Sequence, residues 1–216
     1  MHVFGITGGI ASGKSTVSSR FRARGLPIVD ADEVARAVVA VGTEGLAAVI
    51  AAFGESVRGR DGALDRKALA AVVFGDDAKR KQLNAILHPR IGQESAARIE
   101  KLASEGHTVA GYDAALLVEN GLADAFRPLV VVSAPESMQI ARVVQRDGAT
   151  EDEARARIRT QRPLADKVAL ADFVIENAGT LDALLTEADR ALDAVTDRLG
   201  LARFPPARSV VVYALA

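Results

Sequence analysis

The sequence contains no cysteine, which excludes a disulfide framework, thiol catalysis and cysteine-ligated zinc or iron–sulfur sites. Histidine is scarce as well, and the three histidines are too far apart in sequence to form a metal-binding motif: His2, His88 and His107. The chain also lacks an excess of charge of one sign, because its formal net charge is −1. It therefore offers no whole-molecule attraction for nucleic acid or an anionic membrane, and any phosphate binding must be local.

Long hydrophobic runs are missing too. No apolar segment approaches the ~18 to 20 residues of a membrane span, and the N-terminus has no basic region followed by an apolar stretch and a cleavage site. The 216 residues, 49% apolar and 25% charged, can bury a core as one domain, with or without insertions. These features predict a cytoplasmic enzyme or binding protein.

Short apolar runs with few charges alternate with longer helical patterns, as expected for a parallel sheet covered on both faces. The predicted strands are Val3–Thr7, Leu26–Val29, His107–Tyr112, Leu129–Ser133 and Phe173–Ile175. About 75 residues separate the second and third strands, and their apolar spacing is helical. A single crossover helix does not need so many residues. The sequence therefore predicts an α/β protein with an inserted helical subdomain.

The stretch "GITGGIASGKST", residues 5–16, is rich in glycine, which indicates that its backbone approaches another group closely. Gly8, Gly13, Lys14 and Ser15 fit the phosphate-loop pattern, with an apolar strand before them and a helical pattern after them. Such a loop points backbone N–H groups at phosphates, while the lysine adds a positive charge and the serine ligates Mg²⁺. The predicted nucleotide-binding residues are Gly9, Ala11, Ser12, Gly13, Lys14, Ser15 and Thr16.

Two alternatives to a phosphate loop stay open at this point. A glycine-rich turn that binds nothing is the simplest, although it gives the Lys-Ser pair no purpose. A dinucleotide-binding fingerprint also gives Lys14 no purpose, but it requires an acidic residue after the second strand, and Asp30 stands there.

Acidic residues follow the predicted strands, at the sheet edge where ligands bind. Asp30 and Asp32 follow the second strand, where either could serve as a catalytic base, hold Mg²⁺ through water or cap the next helix. Asp113 follows the third strand and Glu119 a short apolar run, in the region where P-loop proteins keep a magnesium-organising carboxylate. Loop capping is the alternative for both.

Arginines are concentrated after the fourth strand. Arg142 and Arg146 are four residues apart, on one face of the predicted helix, and could neutralise charge on a transferring phosphate. Thr150 and Glu153 form a capping box for a basic helix that extends through Gln161. For the arginines of 155–162, a solvated face paired with Glu151 to Glu153 is the simpler interpretation.

Several blocks occur together, in order: "GITGGIASGKST", "DADEVAR", "DGALDRKAL" with "VVFGDD", "LNAILHPRI", "LLVENG", "QRDG" and "ADFVIENAG". From residue 3 to about 180 the chain resembles the dephospho-CoA kinase family. The resemblance implies a P-loop NTPase-type parallel sheet flanked by helices (core about 1–31, 106–141 and 166–200), a helical acceptor-binding insertion (about 32–105) and a helical lid (about 142–165). It further implies transfer of the ATP γ-phosphate to the ribose 3′-hydroxyl of 3′-dephospho-CoA.

The resemblance also assigns roles. It implies ATP as co-substrate with Mg²⁺ on Ser15, Lys14 on the phosphates, and Asp32 as general base. Arg142 and Arg146 fall in the lid region. The implied acceptor-side residues are Asp32, Asp65, Arg66, His88, Asp113 and Glu119. We expect a small-molecule acceptor, no nucleic-acid or membrane partner, a cytoplasmic location and, by preference, a monomer.

Three features fit less simply. His88 followed by Pro89 indicates a helix boundary, with the proline opening the next helix. Ala115 stands where the family usually has proline, so the turn after Asp113 could be looser. The tail of residues 203–216 matches nothing expected of the family, and its 209–214 portion resembles a strand that pairs with a sheet edge.

Three rival functions are another small-molecule P-loop kinase, a regulatory nucleotide switch and a nucleic-acid ATPase. The blocks at 61–89 argue against the first, since a nucleotide-directed kinase does not share them. A switch would bind nucleotide without an acceptor. A nucleic-acid ATPase needs a basic track that the balanced charge does not indicate.

Overall fold

The structure is a computed structural model that describes residues 1–207. Its strands are β1 (His2–Gly8), β2 (Ile28–Asp30), β3 (Val109–Asp113), β4 (Leu129–Ser133) and β5 (Phe173–Glu176). The helices are α1 (Lys14–Ala23), α2 (Ala31–Ala37), α3 (Glu44–Phe53), α4 (Arg66–Val73), α5 (Asp77–Ser104), α6 (Glu136–Asp147), α7 (Glu151–Arg159), α8 (Leu164–Ala169) and α9 (Leu181–Arg198). A short 3₁₀ turn, Glu55–Val57, lies between α3 and α4.

The five strands form one sheet in the order β2-β3-β1-β4-β5. β1 lies at its centre and pairs in parallel with β3 and β4, and β4 pairs in parallel with β5. The predicted α/β fold with a parallel sheet flanked by helices is confirmed. Because β1 is central, the loop that follows it emerges at the middle of the sheet edge.

The predicted second strand is displaced in the structure. It was expected at Leu26–Val29, but β2 begins at Ile28. The reason is local: the Leu26 N–H donates to the Phe21 carbonyl oxygen at 3.1 Å, which completes the turn that ends α1. Pro27 has no N–H to donate, and its carbonyl oxygen accepts from the Gly111 N–H at 2.9 Å.

The described residues fall into two compact units, one formed by Met1–Ile28 and the chain from Gly106 on, the other by Val29–Glu105. We call them the phosphate-loop unit and the helical unit. The core of the phosphate-loop unit joins sheet side chains to those of α1 and α9, and its buried members include Phe4, Ile6, Val17, Phe21, Val130, Val132 and Leu192. The division of the chain into core, insertion and lid stays a prediction.

In the helical unit, the core is an apolar cluster of Val39, Val49, Val57 and Leu69 with half-buried neighbours from α3, α4 and α5. Gly45 allows α3 to approach the preceding turn, because a Cβ atom there would lie 2.0 Å from the Val38 carbonyl oxygen. Side-chain caps on Thr43, Asp65 and Asp76 begin the three helices.

The predicted helix boundary at Pro89 is wrong. α5 is continuous from Asp77 to Ser104, with the proline in its interior. Proline removes one helical hydrogen bond and usually kinks or ends a helix. The bond lost here is that of the Ala85 carbonyl oxygen, four residues before the proline, while the Arg90 guanidinium donates to the neighbouring Ile86 carbonyl oxygen at 2.7 Å. His88 is exposed on this helix.

Within residues 1–207, no helix is long and apolar enough to cross a membrane. The described start of the C-terminal tail packs on the phosphate-loop unit. Phe204 contacts its core, and the Phe204 and Pro205 carbonyl oxygens accept from Arg24 at 2.5 and 3.0 Å. The strand predicted at 209–214 lies outside the described residues.

Candidate active site

The phosphate loop, residues 8–15, connects β1 to α1 and has an unusual backbone. Ala11 has φ 52° and Gly13 has φ 95°, both in the left-handed region. In the described chain, Ala11 is the one non-glycine residue with positive φ. Gly13 is required for space as well, because a Cβ atom would lie 2.4 Å from the Asn177 amide nitrogen. Left-handed residues of this kind turn successive N–H groups towards one point, as anion-binding loops do.

The N-terminus of α1 points at the same loop without a competing anion. Gly13 is its N-cap, no side chain caps it and its first turn holds no acidic residue. The first N–H groups of the helix therefore have no helical acceptor, and a bound anion is stabilised by them and by the helix dipole. Ser15, in this first turn, is exposed.

Lys14 forms an ion pair and hydrogen bond with Asp113. Asp113 is buried at the end of β3, and its other oxygen accepts from the Ser18 hydroxyl at 2.6 Å. The carboxylate thus holds the lysine beside the loop. This contact joins residues that the sequence identified separately.

Arg142 and Asn177 contact the other side of the loop. The Arg142 guanidinium donates to the Ala11 carbonyl oxygen at 3.2 Å and to the Asn177 side-chain oxygen at 3.1 Å. The Asn177 amide in turn donates to the Ser12 carbonyl oxygen at 2.9 Å. Partial burial lowers the pKa of Arg142. A small cavity opens here, lined by Gly13, Thr16, Arg142, Asn177, Gly179, Leu181 and Leu184.

Arg146 does not approach the loop. It is exposed and pairs with Asp147 at 2.8 Å, which raises the pKa of the arginine and lowers that of the acid. Arg157 approaches the same Asp147 at 2.5 Å. Arg155 pairs with Glu136 at 3.4 Å and Glu151 at 3.9 Å, as the solvated-face interpretation expects. The two arginines of α6 therefore have different surroundings, and the catalytic role of Arg146 stays a prediction.

The predicted capping box before α7 is present. The Thr150 hydroxyl accepts from the Glu153 N–H, and the Glu153 carboxylate accepts from the Thr150 N–H at 2.8 Å. The backbone hydrogen bond from Thr150 lowers the pKa of Glu153. The helix ends at Arg159, two residues before the predicted Gln161. Gln161 is instead bound to the phosphate loop: its side-chain oxygen accepts from the Ile10 N–H at 2.8 Å.

Glu119 pairs with Lys167 at 2.7 Å and accepts from the Arg162 N–H at 3.1 Å. Lys167 is fully buried and also donates to the Gly8 and Ala115 carbonyl oxygens at 3.3 and 3.0 Å. Ala115, where the family usually has proline, thus contributes its carbonyl oxygen to a buried cluster rather than to a loose turn.

In the helical unit, Asp30 is the residue that caps α2, since its carboxylate accepts from the Asp32 and Glu33 N–H groups at 2.8 and 3.1 Å. Asp32 itself lies in the first turn with its carboxylate exposed. The capping alternative therefore applies to Asp30. Asp65 caps α4, and Arg66 is exposed at the first position of that helix.

A sequence model described as dephospho-CoA kinase matches residues 2–183. The chain belongs to the dephospho-CoA kinase family. A dephospho-CoA kinase from Anaeromyxobacter dehalogenans is 48% identical over 210 residues, covering 96% of this chain and all of the relative. One from Geobacillus kaustophilus is 47% identical over 176 residues, covering 82% and 88% of the two chains. The solved structure of TT1252 from Thermus thermophilus has a TM-score of 0.77 at 36% identity, covering 92% of this chain and 97% of that one.

Dephospho-CoA kinases are ATP-dependent transferases of coenzyme A biosynthesis, so the resemblance stated from the sequence motifs is confirmed, as are the enzyme class and ATP as co-substrate. The rival interpretations as a nucleotide switch, a nucleic-acid ATPase or a different kinase are not supported. The dinucleotide-binding alternative is not supported either, since residues 2–183 match a kinase family.

Three polar residues beside the loop were missed by the sequence analysis: Gln161, Lys167 and Asn177. The last two are buried, and all three contact the phosphate loop from at least 150 residues away in the chain. The asparagine stands in the "ADFVIENAG" block, directly after a strand, which is the one signal that could have identified it.

Proposed function

We propose that this chain transfers the ATP γ-phosphate to the ribose 3′-hydroxyl of 3′-dephospho-CoA, giving CoA and ADP, through the residues described above. The observation that supports this best is the family match over residues 2–183 on a chain whose phosphate loop has the geometry of an anion site. Little covalent chemistry falls to the protein in phosphoryl transfer, so positioning and charge neutralisation do most of the work.

The nucleotide side of the reaction falls to the phosphate-loop unit. Backbone N–H groups of the loop bind the β-phosphate oxygens, and Lys14 turns from Asp113 towards the β- and γ-phosphates. Arg142, which already contacts the loop, neutralises charge that develops on the transferring group. In this proposal the 142–165 region acts as a lid that excludes water once the acceptor is bound.

Ser15 is the proposed protein ligand of Mg²⁺. Its hydroxyl is exposed at the start of α1, beside the loop that binds the phosphates, and a hydroxyl oxygen suits this hard cation. The described residues contain no group of three or more His, Cys, Asp or Glu side chains that could hold a metal by themselves, which fits a cation shared with the nucleotide. When bound, Mg²⁺ neutralises charge on the β- and γ-phosphates.

Asp32 is the proposed general base. Its carboxylate is exposed, and the capping role in this turn is taken by Asp30, so the second acid is available to accept the proton of the attacking hydroxyl. Asp65, Arg66, His88, Asp113 and Glu119 remain proposed acceptor-side residues. We further propose that the enzyme works in the cytoplasm as a monomer on this small-molecule acceptor, without nucleic acid.

The test is a coupled assay of ADP release with ATP, Mg²⁺ and dephospho-CoA. We expect ADP to appear only when all three are present, and the product to carry the new phosphate on the 3′-oxygen. Omitting Mg²⁺ tests the metal in the same assay. Turnover with a nucleoside monophosphate and none with dephospho-CoA would overturn the proposal.

A further inference from the structure

We propose that Lys167 is a positioning residue, which holds the start of the phosphate loop and Glu119 in the alignment that the transfer requires. This inference rests on the proposed function. The lysine lies on α8, outside the phosphate-loop motif, and its side chain is completely buried.

The surroundings of the Lys167 ammonium match its hydrogen-bonding capacity. A lysine carries three N–H donors, and three oxygens surround it: the carbonyl oxygens of Gly8 at 3.3 Å and Ala115 at 3.0 Å, and Glu119 Oε1 at 2.7 Å. Gly8 ends β1 and opens the loop, and Ala115 follows β3 by two residues. One side chain therefore links the ends of two neighbouring central strands to a candidate acceptor-side acid.

Stability alone gives a weak reason for a charge at this position. Burying an ion pair costs desolvation energy that its attraction often fails to recover, and apolar replacements of such pairs are frequently neutral or stabilising. Glu119 adds to that cost, because its Oε2 atom is buried and has no hydrogen-bond partner among the described residues. A lysine, unlike an apolar side chain, fixes the positions of the Gly8 carbonyl oxygen and the Glu119 carboxylate.

The same segment of chain makes further contacts with this region. The Arg162 N–H donates to Glu119, and the Gln161 side chain accepts from the Ile10 N–H inside the phosphate loop. Residues 161–167 thus contact the loop at both Gly8 and Ile10. Lys167 is the residue of this set that contacts both the loop and Glu119 through one side chain, so its removal weakens the hold on both at once.

The first test compares Lys167→Met with Lys101→Met, which removes the same charge from an exposed side chain. Both are assayed well below the midpoint of their own thermal unfolding, with folding checked by circular dichroism. For Lys167→Met we expect kcat to fall about 100-fold and the affinity for Mg·ADP, measured by calorimetry, to fall about tenfold, since small displacements of reacting groups are costly. Lys101→Met should match the unmodified chain.

A lysine that serves folding alone would lower the unfolding midpoint and leave kcat and Mg·ADP affinity of the folded protein within about twofold, and that result overturns the proposal. If Lys167→Met does not fold, Lys167→Gln, which keeps an amide donor, is measured in its place with the same criteria. Mg·ADP affinity needs no acceptor, so the proposal is still tested if dephospho-CoA proves not to be the substrate. Failure of the proposed function would instead appear as absent turnover in the unmodified chain.

The second test is a double-mutant cycle with Glu119→Gln. If Lys167 acts by holding Glu119, the double variant should lose no more kcat than Lys167→Met alone, because the partner is already displaced. Multiplicative losses would show that the two residues act independently and would overturn the positioning of Glu119.

Discussion

The two units of this chain bury different kinds of side chain. Among the described residues of the helical unit, Ser95 is the single buried polar residue. The core of this unit is a cluster of valines and leucines. The phosphate-loop unit buries the rest of the polar set, namely Thr7, Ser12, Thr16, Ser18, Arg24, Asp113, Gln139, Lys167, Asn177 and Thr196. Most of these lie around the phosphate loop.

This contrast separates two ways of building a site. Buried hydrogen-bond networks fix one geometry, because an unpaired member is costly, whereas apolar cores tolerate changes of comparable volume. The buried polar contacts therefore hold the phosphate loop in one geometry. The candidate residues of the helical unit, Asp32, Arg66 and His88, are exposed instead, and they are supported by helices rather than by buried polar partners.

The largest effect is expected for Asp32→Asn, which tests whether the helical unit contributes chemistry without binding nucleotide. We expect kcat to fall about 1000-fold, the range of a lost general base, with Mg·ATP affinity unchanged by calorimetry. The matched control is Glu33→Gln, which changes the neighbouring exposed acid of the same turn. Unchanged turnover would reduce Asp32 to a surface residue and leave the proposed catalytic groups to the phosphate-loop unit.

The next effect concerns the arginines of α6 and tests the importance of contact with the loop. Arg142→Ala should lower kcat about 100-fold, because it removes both a charge near the transferring phosphate and the contacts to Ala11 and Asn177. Arg146→Ala should lose less, since Arg146 pairs with Asp147. Steady-state kinetics decides the order, with Arg190→Ala, at an exposed position of α9, as the control. The reverse order would contradict the division between the two arginines.

A third substitution tests how much the apolar core of the helical unit contributes to stability. Val49 is fully buried in the helical unit, and Val49→Ala should lower the free energy of unfolding by about 2 kcal/mol through lost apolar contact and a residual cavity. Urea denaturation measures the change. Val41→Ala, at a position 63% exposed, should have little effect. A kcat loss above about threefold in folded Val49→Ala would show that packing in this unit also sets catalytic geometry.

The smallest effect is a pH dependence at the start of α7. The lowered pKa of Glu153 means that its carboxylate stabilises the fold at neutral pH, and that this contribution is lost as pH falls through the folded-state pKa. Glu153→Gln should therefore lower the thermal midpoint by about 1–2 °C at pH 7 and match the unmodified chain in acid. Glu151→Gln is the control. An equal difference at both pH values would mean that the capping carboxylate is not responsible.

Local patterns predicted those elements that local physics decides. Leu129–Val132 is an unbroken apolar run, and the strand predicted at Leu129–Ser133 has the observed bounds. The capping box at Thr150 and the phosphate loop could also be predicted, because each depends on residues within one short segment of sequence. Leu26 was misplaced because its N–H bonds to the end of α1, and the boundary at Pro89 was wrong because α5 continues through the proline.

The residues of the candidate site likewise fall into those that a local motif predicts and those that only the fold brings together. Lys14, Ser15 and Asp32 stand in recognisable spacings, whereas the partners of the loop are brought to it by the fold. Asn177 contacts Ser12 across 165 residues, and Lys167 contacts Gly8 across 159. No local window contains both members of such a pair. Only the strand order, which places β1 between β3 and β4, brings them together.

The anchoring of the tail by Arg24 bears on how shortened versions of this protein should be made. That guanidinium is buried and donates to the backbone of Phe204 and Pro205 as well as to Asp193. Trimming the chain before residue 203 would strip a buried cation of two acceptors and uncover part of the central core. Fusion tags and truncations are therefore best placed beyond Pro206.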